Sequence, residues 1–411
     1  MDQLKPRLWT AQYFLVVFMT FLFFLCLHMM NAGFPIFVTG VSKNPAIGGT
    51  TMTAFMIAAI ITRPFVSFLL QKIEIKKTIA ITLCIIFICV FLSYGQTSIP
   101  FLLCIRVMEG IGFGLVTTLL ATLVTSHIPS ERIGEGIGYF SMATSLGASL
   151  APVVALSMIH SFSFNSLLLL AIAIIISILG CSMFIKRIHS NHQHKNQGTI
   201  MDYVFDKKVL LPSILVLFLC VTFGGVFNFI DGLGKENGMG SQITLFFVIF
   251  VILMLVVRPI SGKIFDRKGH KGLIVTGSVS GIIGLILLTI TNNLFMLVTA
   301  AVFYSICYGT IQPTLQSWAV SRVSPEKKAT ANAMVLNGMD LGMAIGAPTL
   351  GLIAGHTSYK FMFGSSSICI LLLLVIYLFI MSRSRNKKLK LTVDHRSHQE
   401  NTDLKQIRKS K

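Results

Sequence analysis

Runs of about twenty apolar residues recur along the whole chain between short polar breaks, and no other feature limits its fold as severely. A bilayer core about 30 Å thick is crossed by about 20 residues of helix rising 1.5 Å each. Inside hydrocarbon every backbone polar group has to be satisfied within its own segment, so such runs are expected to be α-helices. Of the 411 residues, 54% are hydrophobic and only 12% charged, which leaves too little polar surface for a water-soluble fold. Twelve spans are predicted, near 11-38, 46-71, 78-96, 98-126, 133-160, 163-186, 209-232, 241-265, 272-291, 294-321, 328-356 and 359-382. The first follows Lys5 and Arg7 but outruns a signal-peptide core and lacks a small-residue cleavage pattern, so it is expected to be retained.

The cations give the orientation, because Lys and Arg in short loops stay on the cytoplasmic side. Of the 34, all but six fall in the terminal segments or in alternate loops. Arg63, Arg106 and Arg258 lie within spans or at their ends, and only Lys43, Lys235 and Lys360 sit on the other side. Both termini are therefore expected in the cytoplasm and the chain in the plasma membrane. The net charge of +19 is accounted for by topology and attraction to anionic lipid, with no nucleic-acid partner. All eight cysteines fall in apolar spans without paired spacing and read as small core hydrophobes. Among the polar loops, His189, His192 and His194 cluster in a basic central segment and could bind metal adventitiously, but no dedicated metal or cofactor site is expected.

The chain repeats itself. "RPFVSFLLQKIEIKK" from residue 63 returns as "RPISGKIFDRKGHKG" from residue 258, matching Arg63 with Arg258, Ser67 with Gly262 and Gln71 with Asp266. Pro129 and Pro325, Pro152 and Pro348, and His160 and His356 pair in the same way. Six spans followed by six in the same orientation form a parallel repeat about an axis along the membrane normal. The expected architecture is an all-α integral membrane protein of twelve transmembrane helices in two pseudo-symmetric six-helix bundles. Residues 1-187 and 209-382 form the bundles, 188-208 the central loop and 383-411 a basic tail.

Together, twelve spans, a six-plus-six repeat, a long basic central loop and "GKIFDRKGHK" after span eight resemble the major facilitator superfamily. Its signature loop corresponds here to Gly262, Asp266, Arg267, Gly269 and Lys271, whereas the copy after span two is degraded to Ser67 and Gln71. Physically, Gly262 permits close helix approach, Asp266 can accept from exposed amides at a neighbouring helix start, and the cations suit anionic headgroups. That is a latch for one side of a cavity, with Arg63 and Arg258 at its two copies.

Within the spans, Arg106 is costly unless it faces a cavity or a partner, and Glu109 lies one turn on, within its reach. The arginine and its glycine run resemble the family's proton-coupling motif of span four. In span five, Gly147 and Pro152 match the family's antiporter motif, while Ala151 and Ala155 replace typical glycines. In span eleven Gly338, Gly342 and Gly346 share one face and Asp340 another, close to mid-bilayer, where an unpaired carboxylate would change protonation as access switches sides. Cavity candidates are His28 and Asn31 in span one and the stripe Tyr304, Tyr308, Gln312 and Gln316 in span ten. Asp231 with Asn228 reads as a solvated helix end.

No phosphate-binding glycine loop or nucleophile-base pair appears, so neither a nucleotide-driven pump nor an enzyme is indicated. The resemblance implies a secondary transporter, monomeric, moving a small amphipathic organic molecule outward in exchange for protons. A proton-linked importer and a receptor that has lost transport are the alternative readings.

Overall fold

The computed structural model describes residues 7–186 and 200–383. Most of the central loop, including His189, His192 and His194, and the tail beyond residue 383 lie outside the described residues.

Twelve helices are long and apolar enough to cross a membrane. They are α1 (Ala11–Ser42), α2 (Ile47–Lys72), α3 (Ile75–Leu92), α4 (Ile99–His127), α5 (Ser130–Ser161), α6 (Phe164–Met183), α7 (Lys207–Glu236), α8 (Thr244–Lys268), α9 (His270–Ile290), α10 (Leu294–Ser321), α11 (Pro325–His356) and α12 (Tyr359–Arg383). A short helix, Ile200–Val204, precedes α7. Helix starts are set by side chains that accept from otherwise orphaned amides. Thr10 Oγ1 takes Tyr13 N–H, Ser163 Oγ takes Ser166 N–H and Asn293 Oδ1 takes Met296 N–H at 2.9–3.2 Å. Between α8 and α9 the turn is Gly269 alone, at φ +72°, a conformation that glycine adopts without steric cost.

The contacts repeat across the chain: α1 packs on α5 and α4, and α7 packs on α11 and α10. Between the halves, α5 lies against α8 and α10, and α11 against α2 and α4. Small residues make the α5–α8 crossing possible. A Cβ on Gly262 would meet Glu135 Cα at 2.8 Å, and one on Gly138 would meet the Arg258 carbonyl oxygen at 2.6 Å. That crossing lies near the basic end of the bundle, where Lys72, Arg132, Lys263, Arg267, Lys268, Lys271, Arg322, Lys327 and Lys328 gather at the helix ends. Among the described residues the hydrogen bonds that join the halves, those of Arg63, Asp266, Arg258, Lys328, Thr330, Asn332 and Asn337, all lie toward this end, and α1 and α7 make no extensive contact.

The cysteine expectation holds only in part. Cys26, Cys89, Cys220 and Cys307 are buried, but Cys84 and Cys104 are exposed on the outer face, where lipid rather than core accounts for their apolar surroundings.

A bulky residue at the crossing should act locally. Gly262→Val is expected to weaken closure of the basic end by about 1–3 kcal/mol through overpacking against Glu135. Distance measurements between spin labels at the basic ends of α5 and α8 would then show a larger open fraction than the unsubstituted chain. An unchanged distribution would refute close approach at this crossing.

Candidate functional site

Among the described residues, three buried arginines and two of the three buried carboxylates, Glu109 and Asp340, define the interior. Arg106, on α4, donates through Nη1 to Glu109 Oε2 at 2.6 Å and through Nη2 to Asn31 Oδ1. Its guanidinium lies over Phe55 and Phe34, at 4.3 and 4.8 Å. Sequence reasoning placed Asn31 on a cavity wall; its carbonyl instead completes this pair, because a buried guanidinium needs acceptors more than water needs an amide. Glu109 is fully enclosed within the amino-terminal bundle, with Oε1 lacking a hydrogen-bond partner. His28 stacks on Phe24 and meets Phe113 edge-on, at 5.7 and 6.3 Å, and remains half-buried.

Asp340 departs most from the sequence-based expectation. It is not an unpaired carboxylate, because Arg63, 277 residues away, donates to its Oδ2 from the other half. Arg63 also donates to the Leu336 carbonyl at 3.2 Å and to Thr117 Oγ1 at 3.4 Å, and its guanidinium stands 5.3 Å from the centre of the Phe113 ring. Both residues of the pair are at least nine-tenths buried. The glycine face of α11 points away from them, letting α11 approach α7 so closely that a Cβ on Gly338 would meet Ser213 O at 2.5 Å.

Arg258 repeats this arrangement without the acid. It donates to the Ser141 carbonyl of the opposite half, and its guanidinium stands 5.9 Å from the Tyr308 ring. Each counterpart, Arg63 and Arg258, Phe113 and Tyr308, Ser141 and Leu336, is offset by the same 195 positions. Four residues beyond Leu336 stands Asp340; four beyond Ser141 stands Ser145. Arg258 is therefore a buried cation, 3% exposed, that forms no ion pair among the described residues, and its Nε has no partner.

Beyond this layer the basic end is closed by polar contacts between the halves. Asp266 Oδ1 and Oδ2 accept the N–H groups of Gly134 and Glu135, at 2.6 and 2.9 Å, capping α5 from the other bundle. Glu135 is held by Arg132 at 2.6 Å and lies 3.6 Å from Lys263. Lys328 Nζ donates to Thr125 O at 2.7 Å, Thr330 Oγ1 to Ser67 Oγ at 3.0 Å and Asn337 Nδ2 to Ile60 O at 3.2 Å. Arg267 and Lys271 stay exposed beside the Gly269 turn.

The α10 stripe divides. Tyr304 is wholly buried, hydrogen-bonded to Thr222 at 3.1 Å inside the carboxy-terminal bundle, so it is not a cavity wall. Tyr308 stacks on Phe223 at 4.4 Å and does face the interior. Gln312 donates to Gln316 at 3.4 Å, Gln316 to Asn332 at 3.1 Å, and Asn332 to Thr125 Oγ1 of the other half at 3.3 Å. These two glutamines therefore belong to the closure. Gly147 packs on α1, a Cβ there lying 2.7 Å from Phe21 O, and Pro152 sits within α5. At the far end Asp231 forms an exposed pair with Lys235 at 2.9 Å. The sequence missed the role of Arg63 as the partner of Asp340, although the arginine at matching positions of two repeats was a signal for it.

The model of the Major Facilitator Superfamily matches residues 16–293 and 237–411. The chain is 24% identical over 365 residues to the Staphylopine export protein of Staphylococcus aureus, covering 84% of this chain and 90% of that one. It is 21% identical over 358 residues to Multidrug resistance protein 2 of Bacillus subtilis, covering 84% and 89%. Among solved structures, the human organic anion transporter MFSD10 superposes with a TM-score of 0.75 at 15% identity, over 88% of this chain and 97% of that one.

Removing one member of the buried pair leaves the other charge without compensation. Asp340→Leu or Arg63→Met alone is expected to destabilise the closed form by about 3–5 kcal/mol, while the double variant recovers most of that loss. Thermal unfolding of the purified chain, run as a double-mutant cycle, measures this. Additive losses would show that the two residues do not interact.

Proposed function

The chain belongs to the Major Facilitator Superfamily, and we propose that it exports a small amphipathic organic compound with an acidic group in exchange for protons. It is a multi-pass membrane transporter and not an enzyme. The observation that carries the finer reading is the Arg63–Asp340 pair, which joins the halves at the closed end.

With the basic end in the cytoplasm, as the distribution of cations supports, this structure faces outward. A proton arriving from outside neutralises Asp340, the ionic attraction to Arg63 is lost, and the basic end is free to open. There the compound binds and the proton leaves to the cytoplasm. Asp340, ionised again, recaptures Arg63 and closes the inner end behind the cargo. Proton and compound thus favour opposite states, which is the logic of exchange. Arg106 and Glu109 would hold α4 and α1 in register for this movement, and Glu109 is the second candidate proton carrier. The latch of Gly262 and Asp266 would steady the inward-closed state.

The acidic group of the cargo follows from the charge balance. Arg63 and Arg106 each face a carboxylate, whereas Arg258 has none, and a buried cation without a counter-ion is costly. An anionic substituent reaching Arg258 beneath Tyr308 would supply that counter-ion, with Phe223, Tyr308 and Phe113 receiving the apolar part. Relatives named for export of staphylopine and for multidrug resistance support the outward direction.

Everted vesicles provide the test. A cargo found by an export screen should accumulate when the lumen is acid, and lose accumulation with Asp340→Asn while exchange of labelled for unlabelled cargo persists. Arg258→Gln should weaken acidic cargo at least tenfold and its methyl ester far less. Accumulation that ignores the pH gradient would overturn proton exchange.

A further inference from the structure

A cavity of about 220 Å³ lies at the outer edge of the interface between the halves, apart from the charged interior. Pro64 contributes from the amino-terminal half, Ser213 and Ile214 from α7, and Ala333, Asn337 and Leu341 from α11. Ile214 and Leu341 remain 37% and 40% exposed on the outer surface of their spans, so the cavity opens sideways to the bilayer. Its volume far exceeds the share of a single water, about 30 Å³ in the liquid.

Two polar atoms here have no partner. Ser213 Oγ and Asn337 Oδ1 are both buried and lack hydrogen bonds, although Asn337 spends its Nδ2 on Ile60 O of the other half. They meet at one crossing, since Ser213 packs against Gly338, the neighbour of Asn337. A hydroxyl placed between them would donate to Asn337 Oδ1 and accept from Ser213 Oγ, satisfying both. No charged residue lines the cavity, so it offers nothing to a phosphate or a free carboxylate. Counting along the helices, Ser213 lies about 9 Å from Lys207 and Asn337 about 14 Å from Lys328, within reach of the acyl chains of the adjoining leaflet.

We propose that this cavity binds an acylglycerol with a free hydroxyl, the chain filling the apolar walls and the hydroxyl bridging Ser213 and Asn337. The site backs directly onto the charged lock, because Pro64 follows Arg63 and the Leu336 carbonyl that Arg63 engages precedes Asn337. A bound lipid therefore ties both halves together at the basic end and favours the closed state. This inference stands apart from the transport reading, since lipid binding is measured without cargo or gradient.

The test uses the full chain in vesicles, with a monooleoylglycerol carrying a diazirine in its acyl chain and mass spectrometry of the labelled peptides. Labelling is expected to concentrate at 213-217 and 333-341. Unlabelled monoolein should compete about tenfold better than its dimethyl ether, which cannot donate, and clearly better than oleate. Asn337→Leu, which removes the acceptor, should cut that preference to about threefold, whereas Ser213→Ala, which removes a bond the ether also makes, should leave it at about tenfold. Ala333→Phe, which fills the cavity, should remove the labelling; should that variant fail to fold, the Asn337→Leu ratio decides. With monoolein bound, spin labels at the basic ends of α2 and α11 should report more of the closed state. Labelling spread evenly over the lipid-facing surface, competition indifferent to the hydroxyl, or oleate matching monoolein would each overturn the proposal.

Discussion

A carboxylate and a guanidinium buried together between two helical bundles hold those bundles only while both stay charged and in contact. In this chain that pair is Asp340 and Arg63, and the rest of the interior is arranged so that it can form. The glycine face of α11 presses against α7 and turns Asp340 towards the other half. The α5–α8 crossing brings the two halves within reach of each other at the basic end. Phe113 shields the guanidinium from the far end, so that the contact forms in a medium of low dielectric, where it is strong if complete and costly if broken.

The repeat makes the consequence visible, because it supplies an internal comparison. Arg258 clasps a carbonyl across the interface as Arg63 does, over an aromatic ring at the same offset, yet meets Ser145 where Arg63 meets an acid. One arginine contact thus includes a titratable partner and the other does not. The asymmetry continues outward: Asp266 caps α5, while its counterpart in the first copy is Gln71, a neutral side chain. The two routes that close the basic end therefore differ in chemistry. The α2–α11 route carries the titratable pair, and the α5–α8 route carries a cap with Arg132, Glu135 and Lys263 around it.

Much of this was legible in the sequence, and the division follows physical lines. Span number, helix type and the repeat are properties of local hydropathy and of paired motifs, which any reader of the chain can count. Arg106 with Glu109 was readable because one helical turn separates them. The cap by Asp266 was readable because a carboxylate beside a glycine turn suits exposed helix amides. What could not be read was anything set by how distant helices rotate against one another. Asp340 finds its cation 277 residues away. Tyr304 lies on the same stripe as Tyr308, yet the packing of α10 on α7 turns it into the bundle and leaves Tyr308 at the interior. Gln312 and Gln316 look like cavity polar groups until Asn332 and Thr125 are seen beside them.

The size of the charged contact bears on what it can control. Moving a two-state equilibrium from 1:99 to 99:1 takes about 5.5 kcal/mol, and breaking a buried ion pair by removing one charge costs about 3–5 kcal/mol. Protonation of Asp340 is such a removal, although the neutral acid can still donate one hydrogen bond, so the loss falls toward the lower value. In the proposed cycle a single proton therefore moves the balance most of the way without dictating it. The remainder belongs to contacts other than this pair: the helix cap, the Lys328 and Thr330 bonds, and whatever occupies the cavity behind Pro64. A basic end built this way does not fly open on protonation of Asp340 alone, since these other contacts still oppose it.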